Sequence, residues 1–217
     1  MNSIRRLSIP IVMLHGLVLG VATYFTAEML VPLNVHTAGM HDLYLAVRLG
    51  LIFPPLVGLW LGWLYRSVAV AVLGVIVGVV VGAIYSWLCV DEVDFLHISI
   101  SFPCICGGVY AVLVPSNPSG WATGLVARLI KGLVAGFVLG SVYFVVLNAG
   151  ALFILGIGVP HKVDRYVAMM WRVGPVALGT ATALFLPLLV WAVGQAGVFN
   201  PAGADSAETE PKTKTTL

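Results

Sequence analysis

Apolar stretches of about 20 residues recur along the chain, and they constrain its fold more than any other feature. An α-helix of that length crosses the hydrocarbon core of a bilayer with all of its backbone hydrogen bonds satisfied internally. The predicted spans are residues 8–30, 43–65, 67–90, 98–114, 124–147 and 173–194. The sequence therefore predicts an all-α polytopic membrane bundle of about six helices over residues 1–199.

The composition agrees with a chain that exposes apolar surface to lipid. Charged residues make up 9% of the 217 and hydrophobic residues 60%, with a mean hydropathy of +1.03. A formal net charge of +2 gives no reason to expect nucleic acid as a partner. Residues 200–217 are polar and lack apolar periodicity, so they are predicted to form a disordered cytoplasmic tail.

Lysine and arginine in short loops predict the orientation in the membrane. Residues 27–42 and 91–97 contain neither, so both loops are expected outside, whereas Lys162 and Arg165 in the last loop disagree with this topology. The first apolar run has spanning length, so we interpret it as a retained helix rather than a signal peptide. Both termini are expected in the cytoplasm, in a bacterial inner membrane. The cytoplasmic basic residues are Arg5, Arg6, Arg66, Arg128 and Lys131.

Two glycine ladders occur in different spans, with glycine at every fourth position. Small residues at this spacing share one helix face and let two helix backbones approach closely in lipid. Each glycine of the second ladder follows its counterpart in the first by 58 residues, which indicates an internal repeat. The ladders are Gly74, Gly78 and Gly82, then Gly132, Gly136 and Gly140.

A second pattern marks the even-numbered spans. Phe53-Pro54 is followed by Gly58, and Phe102-Pro103 is followed by Gly107. Span six carries a looser form, Phe185-Leu186-Pro187. Together with the ladders, this pattern predicts helical hairpins that each run in, out and in again. The alternative is that glycine and proline are simply frequent in membrane helices.

Placing the two ladders at the same depth predicts where span five ends. Asn148 would then mark its outer end, with a helix break at Asn148-Ala149-Gly150. Residues 149–159 are apolar but too short to cross again. They are expected to form a re-entrant or interfacial segment, unless span five is long and tilted.

Ionisable residues inside spans are costly and are functional candidates. His15 lies about two turns inside the first span and could carry a proton, ligate haem or simply donate a hydrogen bond to a neighbouring helix. Haem with two histidine ligands is not expected, because no other histidine lies inside a predicted span. Glu28 and Arg48 lie at similar heights near the outer ends of the first two spans, which predicts an ion pair between them. Cys89, Cys104 and Cys106 are odd in number and are interpreted as small core residues rather than a disulfide framework.

The outer loops contain imidazole and carboxylate groups, a combination that suits transition metals. Their spacing matches no recognised metal motif, so no metal or cofactor is predicted with them, and a solvated charged loop is the alternative. The weak metal candidates are His36, His41, Asp42, Asp91, Asp94 and His97.

Two classes of function follow from these features. The first is a permease- or channel-like protein for a small solute or cation that enters from the acidic and histidine-rich outer loops. The second is a non-catalytic accessory subunit of a larger membrane complex, in which the ladders pack against partners, or against further copies of the chain. An enzyme is not expected, because no catalytic motif occurs. The polar residues available to line a path are His15, Thr23, Tyr24, Tyr85, Ser86, Ser99, Ser101, Tyr110, Ser141, Tyr143, Thr180 and Thr182.

Overall fold

The computed structural model describes residues 7–30, 41–88, 95–113, 121–155 and 162–193. Within these ranges, side chains are described for 7–30, 50–85, 100–113, 124–150 and 172–193. The described residues form six α-helices and no strand. The helices are α1 (Ile9–Leu30), α2 (His41–Leu64), α3 (Val68–Leu88), α4 (Phe95–Leu113), α5 (Trp121–Leu155) and α6 (Lys162–Val193).

Four stretches of these helices are long and apolar enough to cross a membrane, within the described part of the chain. They are Ile9–Leu30, Val68–Tyr85, Gly124–Gly150 and Arg172–Val193, and they indicate an integral membrane protein. The remaining two predicted spans correspond to shorter apolar segments, Gly50–Leu64 in α2 and Ile100–Leu113 in α4. The all-helical prediction is confirmed at this level.

The turn between α2 and α3 is tight because Ser67 serves both helices. Its N–H donates to the Gly62 carbonyl at 3.0 Å, which closes the end of α2, and Arg66 adopts a positive φ of 48° there. The Ser67 hydroxyl then accepts the Val70 N–H at 3.3 Å and caps the start of α3. The two helices are thereby folded back on each other.

Glycines determine which helices approach most closely. Gly58 of α2 lies against Gly74 of α3, and a Cβ added at Gly74 would lie only 2.7 Å from the Gly58 Cα. Gly107 of α4 and Gly132 of α5 meet in the same way. On α1, a Cβ added at Gly20 would lie 2.8 Å from the Gly179 Cα of α6. The pairs α2–α3, α4–α5 and α1–α6 are therefore in backbone contact.

The core lies mainly between α2, α4 and α6. Large buried side chains such as Leu61, Tyr110 and Phe185 come from these three helices. Most of the exposed large apolar residues lie on α1, α3 and α5, for example Val18, Ile76 and Val145. A ring of outer helices with apolar outer faces around a buried inner set is the arrangement expected in lipid.

Three details differ from the sequence-based expectations. α5 continues through Asn148 and Gly150 to Leu155, so the predicted helix break is wrong. The Asn148 amide donates to the Phe144 carbonyl at 2.7 Å within the same helix, which explains why this polar residue does not end it. α6 begins at Lys162, about three turns before the predicted span. Residues 156–159 and the tail 200–217 lie outside the described residues.

The third difference concerns the hairpins. An in-out-in arrangement would pair α1 with α2, α3 with α4 and α5 with α6. Of these, α5 and α6 do pack extensively, but α1–α2 and α3–α4 contacts are far fewer than those of α2–α3, α4–α5 and α1–α6. The glycines explain the difference, because the closest backbone approaches lie in the latter three pairs.

Candidate functional site

The two Phe-Pro motifs lie where ladder glycines contact the neighbouring helix. A Cβ added at Gly78 of α3 would meet the Pro55 nitrogen at 2.7 Å. A Cβ added at Gly136 of α5 would overlap the Pro103 carbonyl of α4. In both pairs the proline-bearing backbone is exposed to its neighbour, because glycine places no side chain between them. We call these two places the proline sites.

Tyr110 connects one proline site to a third helix. Its side chain is 1% exposed, and its hydroxyl donates to the Pro54 carbonyl of α2. The same oxygen lies 3.1 Å from the Gly74 carbonyl of α3. A backbone carbonyl has two lone pairs, so it can accept this hydroxyl in addition to a helical N–H. Tyr110 therefore ties α4 to the α2–α3 pair through buried backbone oxygens.

Aromatic rings fill the space between the inner helices beside these prolines. The Phe53 and Phe185 ring centroids are 6.1 Å apart at an interplanar angle of 49°. Phe102 packs on Tyr85 at 4.6 Å, and the Tyr85 hydroxyl is hydrogen-bonded to the Ser101 hydroxyl at 2.7 Å. We call Phe53 and Phe185, whose rings meet between α2 and α6, the aromatic constriction. Both are buried, so the described centre of the bundle is closed.

His15 lies at a groove between α1 and α2 rather than in the aromatic constriction. Its ring packs edge-on against Trp63 at 5.2 Å between centroids. The groove has a volume of about 380 Å³ and is almost entirely apolar. Its lining residues are Leu14, His15, Val18, Leu19, Ala22, Trp60 and Trp63.

Of the predicted ion pair, the side chain of Glu28 is described and that of Arg48 is not. Glu28 is 5% exposed near the end of α1, so its carboxylate is held within the protein. Arg48 lies in α2, but its side chain is outside the described set. The Glu28–Arg48 ion pair therefore stays a prediction.

The outer-loop metal candidates also lie beyond the described side chains. Three of them lie outside the described backbone: His36, Asp91 and Asp94. The other three are on α2 or α4, but their side chains are not described: His41, Asp42 and His97. Among the residues that are described, no group of three or more potential metal ligands occurs. Of the cysteines, Cys104 is half-buried and Cys106 buried, and both are free thiols.

The basic residues of α5 lie differently from each other. Lys131 places its ammonium 4.7 Å from the centre of the Trp191 ring of α6. Arg128, which the sequence places among the cytoplasmic basic residues, is only 7% exposed. Tyr65, in the turn after α2, is also buried, and it lies near Arg128.

Sequence reasoning did not single out Tyr110, Trp60 or Arg128 as site residues. Tyr110 was one polar residue among a dozen in the spans, and only the fold brings its hydroxyl to Pro54. The Phe-Pro motif does not signal this contact, because Pro54 leaves the carbonyl of residue 50 without a backbone donor rather than its own. No family model matches the chain, and neither a curated protein nor a solved structure matches it.

Proposed function

We propose that this chain is a six-span permease- or channel-like protein for a small solute or cation, described here in a closed conformation. The observation that supports this most directly is the grouping of helix prolines with buried aromatic rings at the centre of the bundle. Prolines beyond the first turn occur in α2, α4 and α6, which are the three helices that supply most of the core.

Proline within a spanning helix is suited to a transport path. It removes one backbone hydrogen bond and weakens the helix at that turn. Membrane proteins tolerate such irregular backbone where it is buried or lines a cavity, and transporters use interrupted helices at their binding sites. In the chain, Phe53 of the aromatic constriction is next to Pro54, and Phe185 precedes Pro187 by two residues. Hydrophobic constrictions of this kind gate pores by excluding water.

The glycine contacts support an internal repeat as part of the proposal. In α2–α3, Gly58 meets Gly74 and the Pro54-Pro55 backbone meets Gly78. In α4–α5, Gly107 meets Gly132 and Pro103 meets Gly136. The same motif position therefore contacts the same ladder position in both pairs.

The α1–α6 pair extends the repeat to three units. Gly16 and Gly20 of α1 contact the α6 backbone at Thr182 and Leu178, again one turn apart. We infer that three antiparallel pairs surround the centre, with the glycine ladders serving as zippers inside each pair. Repeats with parallel relationships around an axis along the membrane normal are common in transporters.

This use of the ladders disfavours the accessory-subunit alternative. That alternative required the glycines to receive helices of partner proteins. Gly74, Gly78 and Gly82 instead contact α2 of the same chain, and Gly132 and Gly136 contact α4. The faces of α1 and α3 that remain exposed carry Val, Leu and Ile, which lipid satisfies without a protein partner.

The solute is small and weakly polar or a cation, and it enters from the outer side. Few polar groups line the inner helices: the Thr182 hydroxyl donates to its own helix, and the Tyr110 hydroxyl donates to a backbone carbonyl of α2. In this proposal the histidine and carboxylate groups of the outer loops attract the solute, and both termini are cytoplasmic, with Arg66 and Lys131 at the inner face.

Flux through reconstituted protein tests the proposal. Proteoliposomes are challenged with glycerol, urea, Co²⁺ and Zn²⁺, and solute entry is followed by light scattering or an internal metal-sensitive dye. We expect slow flux of at least one solute through the unmodified protein. Phe53→Ala and Phe185→Ala should raise it several-fold by opening the aromatic constriction.

The matched control is Phe137→Ala, because Phe137 is 52% exposed on the outer face of α5. It should leave the flux unchanged. If no variant moves any of these solutes faster than empty liposomes, the permease proposal is wrong. Stoichiometric co-purification of other subunits in mild detergent would favour the accessory role instead.

A further inference from the structure

The groove between α1 and α2 contains two buried nitrogen atoms that lack hydrogen-bond partners. Trp60 is 9% exposed, and its indole Nε1 has no partner within the described part of the protein. The His15 Nδ1 is likewise buried without one. Both residues line the groove. A buried polar group without a hydrogen bond is unfavourable, so a ligand that pairs with both nitrogens would stabilise this part of the protein.

The chemistry of the two nitrogens restricts the ligand. An indole N–H can only donate, so Trp60 requires an acceptor oxygen or nitrogen. The His15 Nδ1 donates in one neutral tautomer and accepts in the other. A ligand with two acceptor oxygens would satisfy both groups when His15 carries its proton on Nδ1. A charged ligand is disfavoured, because the surrounding lining is almost entirely apolar.

The shape and position of the groove restrict the ligand further. The groove is open at the protein surface, where its lining includes the exposed Leu14 and Val18 of α1 and Trp63 of α2. A ligand therefore enters sideways from the bilayer rather than from water. The walls include the flat rings of Trp60 and Trp63, which favour a planar ring that can stack. About 380 Å³ accommodates one such ring with the start of an apolar tail.

We propose that this groove binds the head of a quinone-type lipid, meaning an uncharged planar ring with two carbonyl oxygens and an apolar tail. One carbonyl accepts from Trp60 Nε1 and the other from His15 Nδ1, while the ring stacks against Trp63. Because both nitrogens are buried, binding includes a small rotation of the Trp60 and His15 rings that turns them toward the groove. The site is separate from the aromatic constriction and does not depend on the proposed transport function.

Binding of a short-tail quinone to purified protein tests this site. Tritiated decyl-ubiquinone is titrated onto protein immobilised in detergent at a fixed micelle concentration. We expect saturable binding at one site per chain. Trp60→Phe, which keeps the ring and removes the N–H, should weaken the affinity about tenfold, as expected for one lost hydrogen bond. His15→Leu should weaken it by a similar factor.

Control variants separate loss of binding from loss of folding. Trp191→Phe removes an indole N–H on α6, outside the groove lining, and should leave the affinity unchanged. Ala22→Phe adds a ring at an exposed position of the groove wall and should abolish binding by filling the groove without touching either nitrogen. Each variant is checked for an unchanged elution volume in gel filtration.

The competitor series identifies the ligand class. Unlabelled decyl-ubiquinone should displace the label, whereas decylbenzene, which lacks the carbonyls, should not. The proposal is overturned if binding does not saturate, if Trp60→Phe and His15→Leu both bind as tightly as the unmodified protein, or if monoolein competes better than the quinone. The last outcome would assign the groove to a glyceride.

Discussion

The Tyr110 hydroxyl is the side-chain contact whose loss should be most informative. Tyr110→Phe removes the donor to the Pro54 carbonyl and leaves two buried carbonyl oxygens, those of Pro54 and Gly74, without it. We expect the free energy of unfolding to fall by about 1–2 kcal/mol, toward the upper range for hydrogen bonds between membrane helices. Unfolding of the protein in mixed detergent and SDS micelles measures this change.

Tyr65→Phe is the matched control for this substitution. Tyr65 is also buried, but its hydroxyl has no hydrogen-bond partner within the described residues. Removing that hydroxyl should be neutral or slightly stabilising at neutral pH, because a desolvated polar group is lost without a bond. Equal destabilisation by the two variants would contradict the role assigned to Tyr110.

A second residue-scale prediction concerns Glu28. Because its carboxylate is buried, Glu28→Arg alone should leave a buried charge without its counterpart and destabilise the protein by about 3–5 kcal/mol. If Arg48 is the partner, Glu28→Arg combined with Arg48→Glu should recover more than half of that loss. The yield of monodisperse protein in detergent and its SDS unfolding curve are the measurements. A double variant that is no better than the single ones would reject the pairing.

Residues whose role depends on their own span were easier to predict than residues that act across helices. His15 could be recognised as unusual from its apolar surroundings in the sequence alone. Its contact with Trp63 could not be predicted from the sequence, because that contact depends on how α1 crosses α2. Tyr110 and Arg128 are similar cases, since their burial and partners are set by tertiary packing rather than by spacing along the chain.

At the scale of helices, glycine positions should differ sharply in their tolerance of a methyl group. Gly136→Ala would push a Cβ into the Pro103 and Cys104 backbone of α4, so the two helices must separate. We expect a loss of about 1–3 kcal/mol in the free energy of unfolding, as for other overpacked sites. Unfolding by SDS measures it, and the same substitution at Gly132 should behave alike.

Gly124 provides the control on the same helix. A Cβ built there has no atom within 4 Å, so Gly124→Ala should be neutral or stabilising by up to about 1 kcal/mol through helix propensity. If Gly136→Ala lowers the free energy of unfolding and Gly124→Ala does not, contact with α4 explains why the ladder positions require glycine. A similar loss at both positions would mean that helix separation is not the cause.

The positions of the helices along the chain were predictable, because the length and hydropathy of each apolar stretch determine where a spanning helix lies. The ends of α1 and α3 lie close to the expected span limits for this reason. The error in α5 has a local cause, since the pattern Asn148-Ala149-Gly150 resembles a helix end. Asn148 instead bonds back to Phe144, and Gly150 packs against Val173 of α6, so neighbouring contacts sustain the helix there.

At the scale of the whole molecule, the pairing of the first and last helices closes the bundle. From the sequence alone, consecutive helices are expected to pack against each other, because short loops keep them adjacent in space. The α1–α6 contact joins residues more than 150 positions apart, and only the matching small residues Gly20 and Gly179 hint at it. This long-range closure was therefore absent from the sequence-based hairpins.

Disulfide crosslinking between α1 and α6 tests this closure directly. A Cβ at Gly179 lies 3.3 Å from the Leu17 carbonyl oxygen, so cysteines at positions 17 and 179 should be within crosslinking reach. The substitutions Leu17→Cys and Gly179→Cys are made with Cys89, Cys104 and Cys106 replaced by alanine. A protease site is inserted within residues 114–120. After oxidation in the membrane and cleavage, the two fragments should stay joined until a reductant is added.

The control pair is Leu17→Cys with Val145→Cys, because Val145 follows the inserted protease site and is 61% exposed on α5. Its fragments should separate under the same treatment. If the Leu17–Gly179 pair instead forms crosslinked dimers without joined fragments, α1 packs against α6 of a second copy. The bundle would then close between chains, and the three antiparallel pairs around one centre would have to be assembled from two molecules.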